Sequence, residues 1–536
     1  MLATQLGVPG RDHLLDDCSP DAHAASARLN RDTLATLDRL TPTDPVDEVT
    51  AAALRDRLGL ELEAYEAGDH LDQLNNLASP LQGLRAIFDL MPTDTAAQWA
   101  DIAARLAALP AALAGYRACL ADGLRAQRVP AIRQVDLGIA EATGLADADT
   151  SFFTTLADRA ATSGITPSPS LEADLRRGAS GAREAYAELA TFLRDDLAPH
   201  ARAEDAVGRE RYERASREFM GATIDLDETY DWGVEELARI TAEQEALARR
   251  IAGPGATVAD AVAALDADPD RILHGTDELR AWMQTTADEA VEALDGVHFD
   301  IPARMRSIEA CIAPTENGGI YYTGPTDDFS RPGRMWWSVP SGVTEFNTWR
   351  EKTTVYHEGV PGHHLQLGQA VHNSAELNWW RRQICWLSGH GEGWALYAER
   401  LMEEFGFLDD PGDRFGMLDA QRLRATRVVI DLGLHLGKAA FDRYGGGTWS
   451  YDTCWELMND NVHMDEASLR FELNRYAGWP GQAPSYKVGQ RLWEQLRADA
   501  TASARARSDE FSLQDFHTRA LNLGSLPLDV LRDALI

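Results

Sequence analysis

The sequence predicts a mostly α-helical protein with one small β-ribbon, and two observations carry that reading. From about Ser26 to Ala252, Ala/Leu/Arg/Glu-rich segments bear apolar residues three and four apart, the spacing of one helix face. Between Ala310 and Pro340 helix formers give way to Gly, Pro, Tyr and Trp. There, Gly319–Thr323 and Met335–Val339 read as short strands on either side of the polar stretch Gly324–Arg334. The chain has 536 residues, more than the roughly 100–200 of an ordinary domain. It carries no fixed-period repeat, and its expected organisation is a helical portion over 1–252 and a catalytic portion over 253–536. Gly253-Pro254-Gly255 marks the edge between them within one continuous fold.

Each element has its local signal. Thr41-Pro42 and Thr166-Pro167 punctuate the helical half. Asp47–Glu66 opens with an acidic first turn, which suits the positive end of a helix dipole, and Leu171–Leu193 carries an apolar stripe. Arg424–His435 reads as a Val/Ile/Leu-rich helix with Arg427, Asp431 and His435 four residues apart. That polar stripe is either a buried ion-paired seam or a wall of the active site. In the second case His435 donates to an oxyanion and Asp431 orients a ligand histidine.

Composition excludes several functions. Lys plus Arg number 51 against 85 Asp plus Glu, a formal net charge of −34, so phosphate backbones and anionic lipid surfaces are repelled. Neither nucleic acid nor membrane is an expected partner. No run reaches the roughly 18 apolar residues of a membrane helix. Met1–Asp16 has no basic residue before Arg11 and no apolar run, so the expected address is the cytoplasm. Five scattered cysteines read as reduced, buried thiols. Only three basic residues are lysine (Lys352, Lys438 and Lys487), which marks them as positions where a compact ammonium is wanted.

The chemistry concentrates in Tyr356-His357-Glu358-Gly359-Val360-Pro361-Gly362-His363-His364. A His-Glu pair followed closely by further histidine suggests a zinc hydrolase, with imidazoles as ligands and the adjacent glutamate as general base. The usual second histidine, four residues on, is replaced by Pro361. On an unbroken helix His364 shares the face of His357, whereas a two-residue bulge at Pro361-Gly362 brings His363 there instead. Downstream, Ser388-Gly389-His390-Gly391-Glu392-Gly393-Trp394 is a glycine-loosened helix entry. Glu392 is its expected third ligand, His390 a competitor, and Glu399, two turns on, a supporting partner.

These motifs, with Glu392-Gly393-Trp394-Ala395-Leu396-Tyr397 and Pro480-Gly481-Gln482-Ala483-Pro484-Ser485-Tyr486-Lys487, resemble a bacterial family catalogued as domain of unknown function 885, over at least Gly318–Gln490. The resemblance implies a mostly helical body similar to the carboxypeptidase Taq type of zinc metallopeptidase, with a groove floored by the metal. It also implies His357, His363 and Glu392 as ligands, His364 being the alternative to His363, and Glu358 as base.

The expected function is therefore Zn2+-dependent hydrolysis of a peptide or peptide-like amide bond, with Glu358, Tyr486 and His435 catalytic. Tyr486 is the first choice for steadying the oxyanion. Tyr322 on the ribbon, Arg475 and Lys487 are expected to bind substrate, the two cations as carboxylate clamps unless structural ion pairs claim them. A zinc amidohydrolase of a small metabolite and a non-catalytic helical binding protein are the alternatives.

Overall fold

The computed structural model describes residues 2–314 and 319–536; Gly318, the near end of the motif-bearing region, lies outside the described residues. Of the described residues 68% are helical and 5% lie in strands. No helix among them is long and apolar enough to cross a membrane.

The chain packs as two compact units. One comprises residues up to Leu40, Leu58–Arg211 and Asp465–Pro480; the other comprises Thr41–Arg57, Tyr212–Met464 and Gly481–Ile536. The division thus falls at Arg211–Tyr212 and not at Gly253-Pro254-Gly255. The Leu226–Ala252 helix explains the difference, since it buries Leu237, Ile240 and Leu247 and packs along the Pro411–Leu436 helix of the second unit. Gly253, at φ 101°, only terminates that helix.

In the first unit, Ala96–Arg125, Ile132–Ala146 and Pro169–Phe192 enclose a core that includes Trp99, Leu106, Leu113, Tyr186 and Leu189. Thr95 and Gln98 close a reciprocal capping box at the start of the longest of these helices. The segment Phe471–Tyr476 belongs to the Glu466–Gly478 helix. Arg475 there is 7% exposed, donates to Glu472 at 2.9 Å and lies over the Tyr476 ring. This corrects its expected role as a substrate clamp, because its charge serves a buried ion pair.

In the second unit, Ile320–Thr323 and Gly333–Trp337 pair antiparallel as the ribbon pattern leads one to expect. A third strand, Ile308–Ile312, pairs parallel on the other side of Gly333–Trp337. The central strand buries Gly333, Met335 and Trp337 and turns Arg334 and Trp336 outward, the period-2 alternation of a sheet with one packed face. Met335 and Trp337 join Leu279 and Met283 of the Gly275–Leu294 helix and Val355 of the Thr348–Glu358 helix in one apolar cluster.

All five cysteines are free, and four are buried. Each lysine is paired: Lys352 with Asp413 at 2.7 Å, Lys438 with Asp227, and Lys487 with Glu236 at 2.9 Å. Lys487 also donates to the side-chain carbonyls of Gln421 and Gln490, at 2.6 and 3.0 Å. Three acceptors use the three ammonium hydrogens, which corrects the expectation that Lys487 binds substrate. Burial pushes its pKa down to about 8, against the pull of Glu236. Burial alone would raise Glu236, but hydrogen bonds from Arg239 and Lys487 hold it down to about 2, so the pair is ionised at neutral pH.

Lys487→Ala leaves Glu236 its pairing with Arg239 but strips the buried side-chain carbonyls of Gln421 and Gln490 of their donor, so it is expected to cost about 1–3 kcal/mol in chemical denaturation. His390 and His517 yield a second expectation, since burial pushes both down to about 3. In the unfolded chain each takes a proton near pH 6.5, whereas in the folded chain each stays neutral until far lower pH. The unfolded state therefore binds more protons between those values, and stability falls as pH drops below about 6.5, by up to about 1.4 kcal/mol per pH unit for each histidine. Denaturation curves from pH 7 to 4.5 should show this slope, and His517→Gln should flatten it.

Candidate metal centre

The first motif helix, Thr348–Glu358, ends at Glu358, and a second, His363–His372, begins after four intervening residues. The intervening Gly359–Gly362 is a full break and not the bulge expected in a continuous helix. The Gly362 N–H donates to the carbonyl of Tyr356 and the His364 N–H to that of Gly359, both at 3.1 Å, across a cis Val360–Pro361 bond. A Cβ on Gly362 would lie 1.9 Å from the His357 carbonyl oxygen, so only glycine allows the chain to double back this closely. The indole of Trp394, fully buried, seals the turn by donating to the Pro361 carbonyl at 2.8 Å.

This turn brings His363 against His357, ring centroids 4.9 Å apart and nearly perpendicular. Glu392 arrives from the Ser388–Glu404 helix. One of its oxygens lies 3.2 Å from Nε2 of His357 and 3.5 Å from Nε2 of His363, and donor atoms of all three residues fall within 4.8 Å of one another. Glu399, seven residues further along the same helix, accepts from Nδ1 of His357 at 2.8 Å and from the Thr353 hydroxyl at 2.9 Å. It is Glu399, and not Asp431, that orients His357. Burial alone would lower the His357 pKa, but the hydrogen bonds to Glu392 and Glu399 push it up to about 10. The same contacts hold Glu392 far below the usual carboxylate range against its burial.

Glu358 is 6% exposed, and its Oε2 has no hydrogen-bond partner. Burial pushes its pKa up and Glu392 adds to this, while His363, His357 and Arg424 oppose. Arg424, which the sequence reading passed over, also lies over the Tyr486 ring with its guanidinium carbon 6.0 Å from the centroid; Arg427 lies at 5.1 Å.

Other expected residues are committed elsewhere. His364 places Nε2 2.7 Å from the carbonyl of Met305 and Nδ1 2.9 Å from the Tyr322 hydroxyl. Nε2–H must donate to the carbonyl, so Nδ1 accepts from Tyr322 and neither nitrogen is left for a metal. Burial pushes His364 down to about 4, as a neutral ring requires. The Tyr322 hydroxyl thus supports the second motif helix, which corrects its expected contact with substrate. His390 accompanies the Leu526 carbonyl at 3.0 Å and the Trp493 ring, apart from the cluster beside it in sequence. The Arg427/Asp431/His435 stripe is a buried seam: Asp431 accepts from the Tyr212 hydroxyl at 2.6 Å and from the Gly481 N–H at 2.9 Å, and His435 lies against the Tyr212 ring.

Trp386 is the other residue the sequence did not reveal. Its ring centroid lies 5.9 Å from that of His363. Tryptophans in an apolar segment ordinarily signal core, so nothing in the spacing set it apart.

Solved structures share this architecture. One, described as "the putative lipoprotein from Colwellia psychrerythraea", aligns with a TM-score of 0.82 and 22% identity over 99% of this chain and 94% of its own. Another, "a putative lipoprotein of unknown function from Shewanella oneidensis", aligns with a TM-score of 0.74 and 17% identity over 99% and 95%. At such identities the likeness is one of fold. No curated protein matches the sequence. The profile described as "Bacterial protein of unknown function (DUF885)" matches residues 1–535, so the chain belongs to that bacterial family.

Proposed function

We propose that the protein is a zinc-dependent hydrolase that cleaves peptide or peptide-like amide bonds, on a helical body of the metallopeptidase type similar to carboxypeptidase Taq. One observation carries the reading, namely that two imidazole nitrogens converge on a single oxygen of Glu392. Because His357 donates its Nδ1 proton to Glu399, its Nε2 in the neutral ring is an acceptor facing another acceptor at 3.2 Å. Such a contact needs a proton or a cation between the two atoms. Donors about 2.0–2.1 Å from a tetrahedral zinc stand about 3.4 Å from one another, which matches the spacings to Glu392. Charge supports the same choice: two buried carboxylates, Glu358 and Glu399, and the partly exposed Glu392 surround two imidazoles, and a divalent cation offsets what the rings leave uncompensated.

His357, His363 and Glu392 would hold the zinc, which when bound would supply Lewis acidity to polarise the scissile carbonyl and to lower the pKa of water. Glu358 takes a proton from water as the water oxygen bonds to the carbonyl carbon, and delivers it to the amide nitrogen as the C–N bond breaks. Its buried setting raises its pKa toward the operating pH, as a group that both accepts and returns a proton requires. Glu399 keeps the His357 tautomer that leaves Nε2 free to ligate. Tyr486, against the Arg424 and Arg427 guanidiniums, is the proposed donor to the developing oxyanion.

Elemental mass spectrometry of the dialysed protein is expected to find near-stoichiometric zinc, and none in His357→Ala or Glu392→Ala. A wild-type protein that stays metal-free after incubation with zinc would overturn the proposal. Glu358→Gln should retain zinc and lose about 10²–10⁴-fold in peptide hydrolysis. Glu399→Gln should weaken zinc binding about 10–100-fold in a chelator competition. Acidification should release the metal as both imidazoles bind protons.

A further inference from the structure

We propose that Trp386 is a specificity-determining residue: its half-exposed indole forms one wall of a subsite beside the metal centre that takes a bulky apolar side chain of the residue flanking the scissile bond. The inference rests on the zinc-hydrolase reading and deepens it.

Trp386 is 43% exposed, although Cys385 and Leu387 on either side of it are 5% and 2% exposed. Its position is built. Arg381, 1% exposed, anchors the preceding turn by donating to the Leu523 carbonyl and to the Thr50 hydroxyl. Arg382 and Gln383 both bind Asp327, at 2.7 and 3.0 Å. The indole itself is wedged between two parts of the metal centre. One is His363, and the other is Gly391, the residue before Glu392, where a Cβ would lie 2.0 Å from the indole Cη2. A side chain at position 391 would displace the ring, so the helix that delivers Glu392 makes room for it.

A large apolar surface left open to solvent is costly in an otherwise well-packed region and favours a flat apolar partner. Contact with a ligand histidine places that surface within one side chain of the metal cluster. A peptide residue next to the scissile bond is what lies at that distance when the bond is at the metal. Stacking then selects aromatic and large aliphatic side chains over small or acidic ones.

The test is calorimetric binding of two probes to the full-length, zinc-loaded protein: acetohydroxamate, which reads the metal alone, and 3-phenylpropanohydroxamate, which differs from it by one benzyl group. Wild type is expected to prefer the phenylpropano probe by about tenfold. Trp386→Ala should reduce the preference to within about twofold, while Trp386→Phe keeps most of it. Zinc content and acetohydroxamate affinity should be equal in all three proteins, which separates loss of the subsite from damage to the fold. A wild type without preference, or an alanine variant that keeps it, overturns the subsite and leaves the zinc reading standing. A protein that binds neither zinc nor acetohydroxamate overturns the zinc reading and the subsite with it.

Discussion

The centre depends on a close backbone contact. The chain ends one helix at Glu358, folds back until Gly362 touches the carbonyl of His357, and starts a second helix at His363. On a straight helix the ring of His363 would point away from that of His357. The break cancels the mismatch, and Trp394 holds it by donating to the carbonyl that the turn leaves unpaired. His357, Glu358 and His363 are thereby buried side by side although five residues lie between His357 and His363.

Around that turn the electrostatics are arranged in layers. Glu399 and Thr353 fix the imidazole of His357 from behind, and Tyr322 with the Met305 carbonyl does the same for His364. The neighbouring histidines consequently have opposite fates. One ring, among carboxylates, is drawn toward positive charge; the other, among neutral partners, is kept uncharged. Lys487 and Arg475 show that cations near a motif in sequence need not serve it, since each is consumed by a glutamate.

What the sequence disclosed follows how local each signal is. Helical periodicity is a property of neighbours, so the helical body, the two ribbon strands and the pairing of Glu392 with Glu399 were legible. The third strand was not, because Ile308–Ile312 is short and acquires its meaning only beside Gly333–Trp337. The choice between His363 and His364 was open from residue geometry because an ideal helix favours the one and a bulge the other, and the break is neither. Asp431 and Glu399 were both credible orienting carboxylates; what separates them is that Asp431 is occupied by Tyr212 and the Gly481 N–H. Trp386 was hidden because its exposure is a fact of tertiary packing.

The helix that carries Glu392 and Glu399 meets the Ser485–Arg507 helix at glycines. A Cβ on Gly393 would lie 2.5 Å from the Gly489 carbonyl carbon, and one on Gly489 would lie 2.2 Å from the Gly389 oxygen. The two main chains therefore abut with no side chain between them. A contact of that kind has no rotamers to rearrange, so the distance between the helices is fixed as a machined joint is, by the shape of its parts and not by how they are fastened. Sequence drift elsewhere along either helix can alter what surrounds the carboxylates, while where they stand remains a property of the backbone.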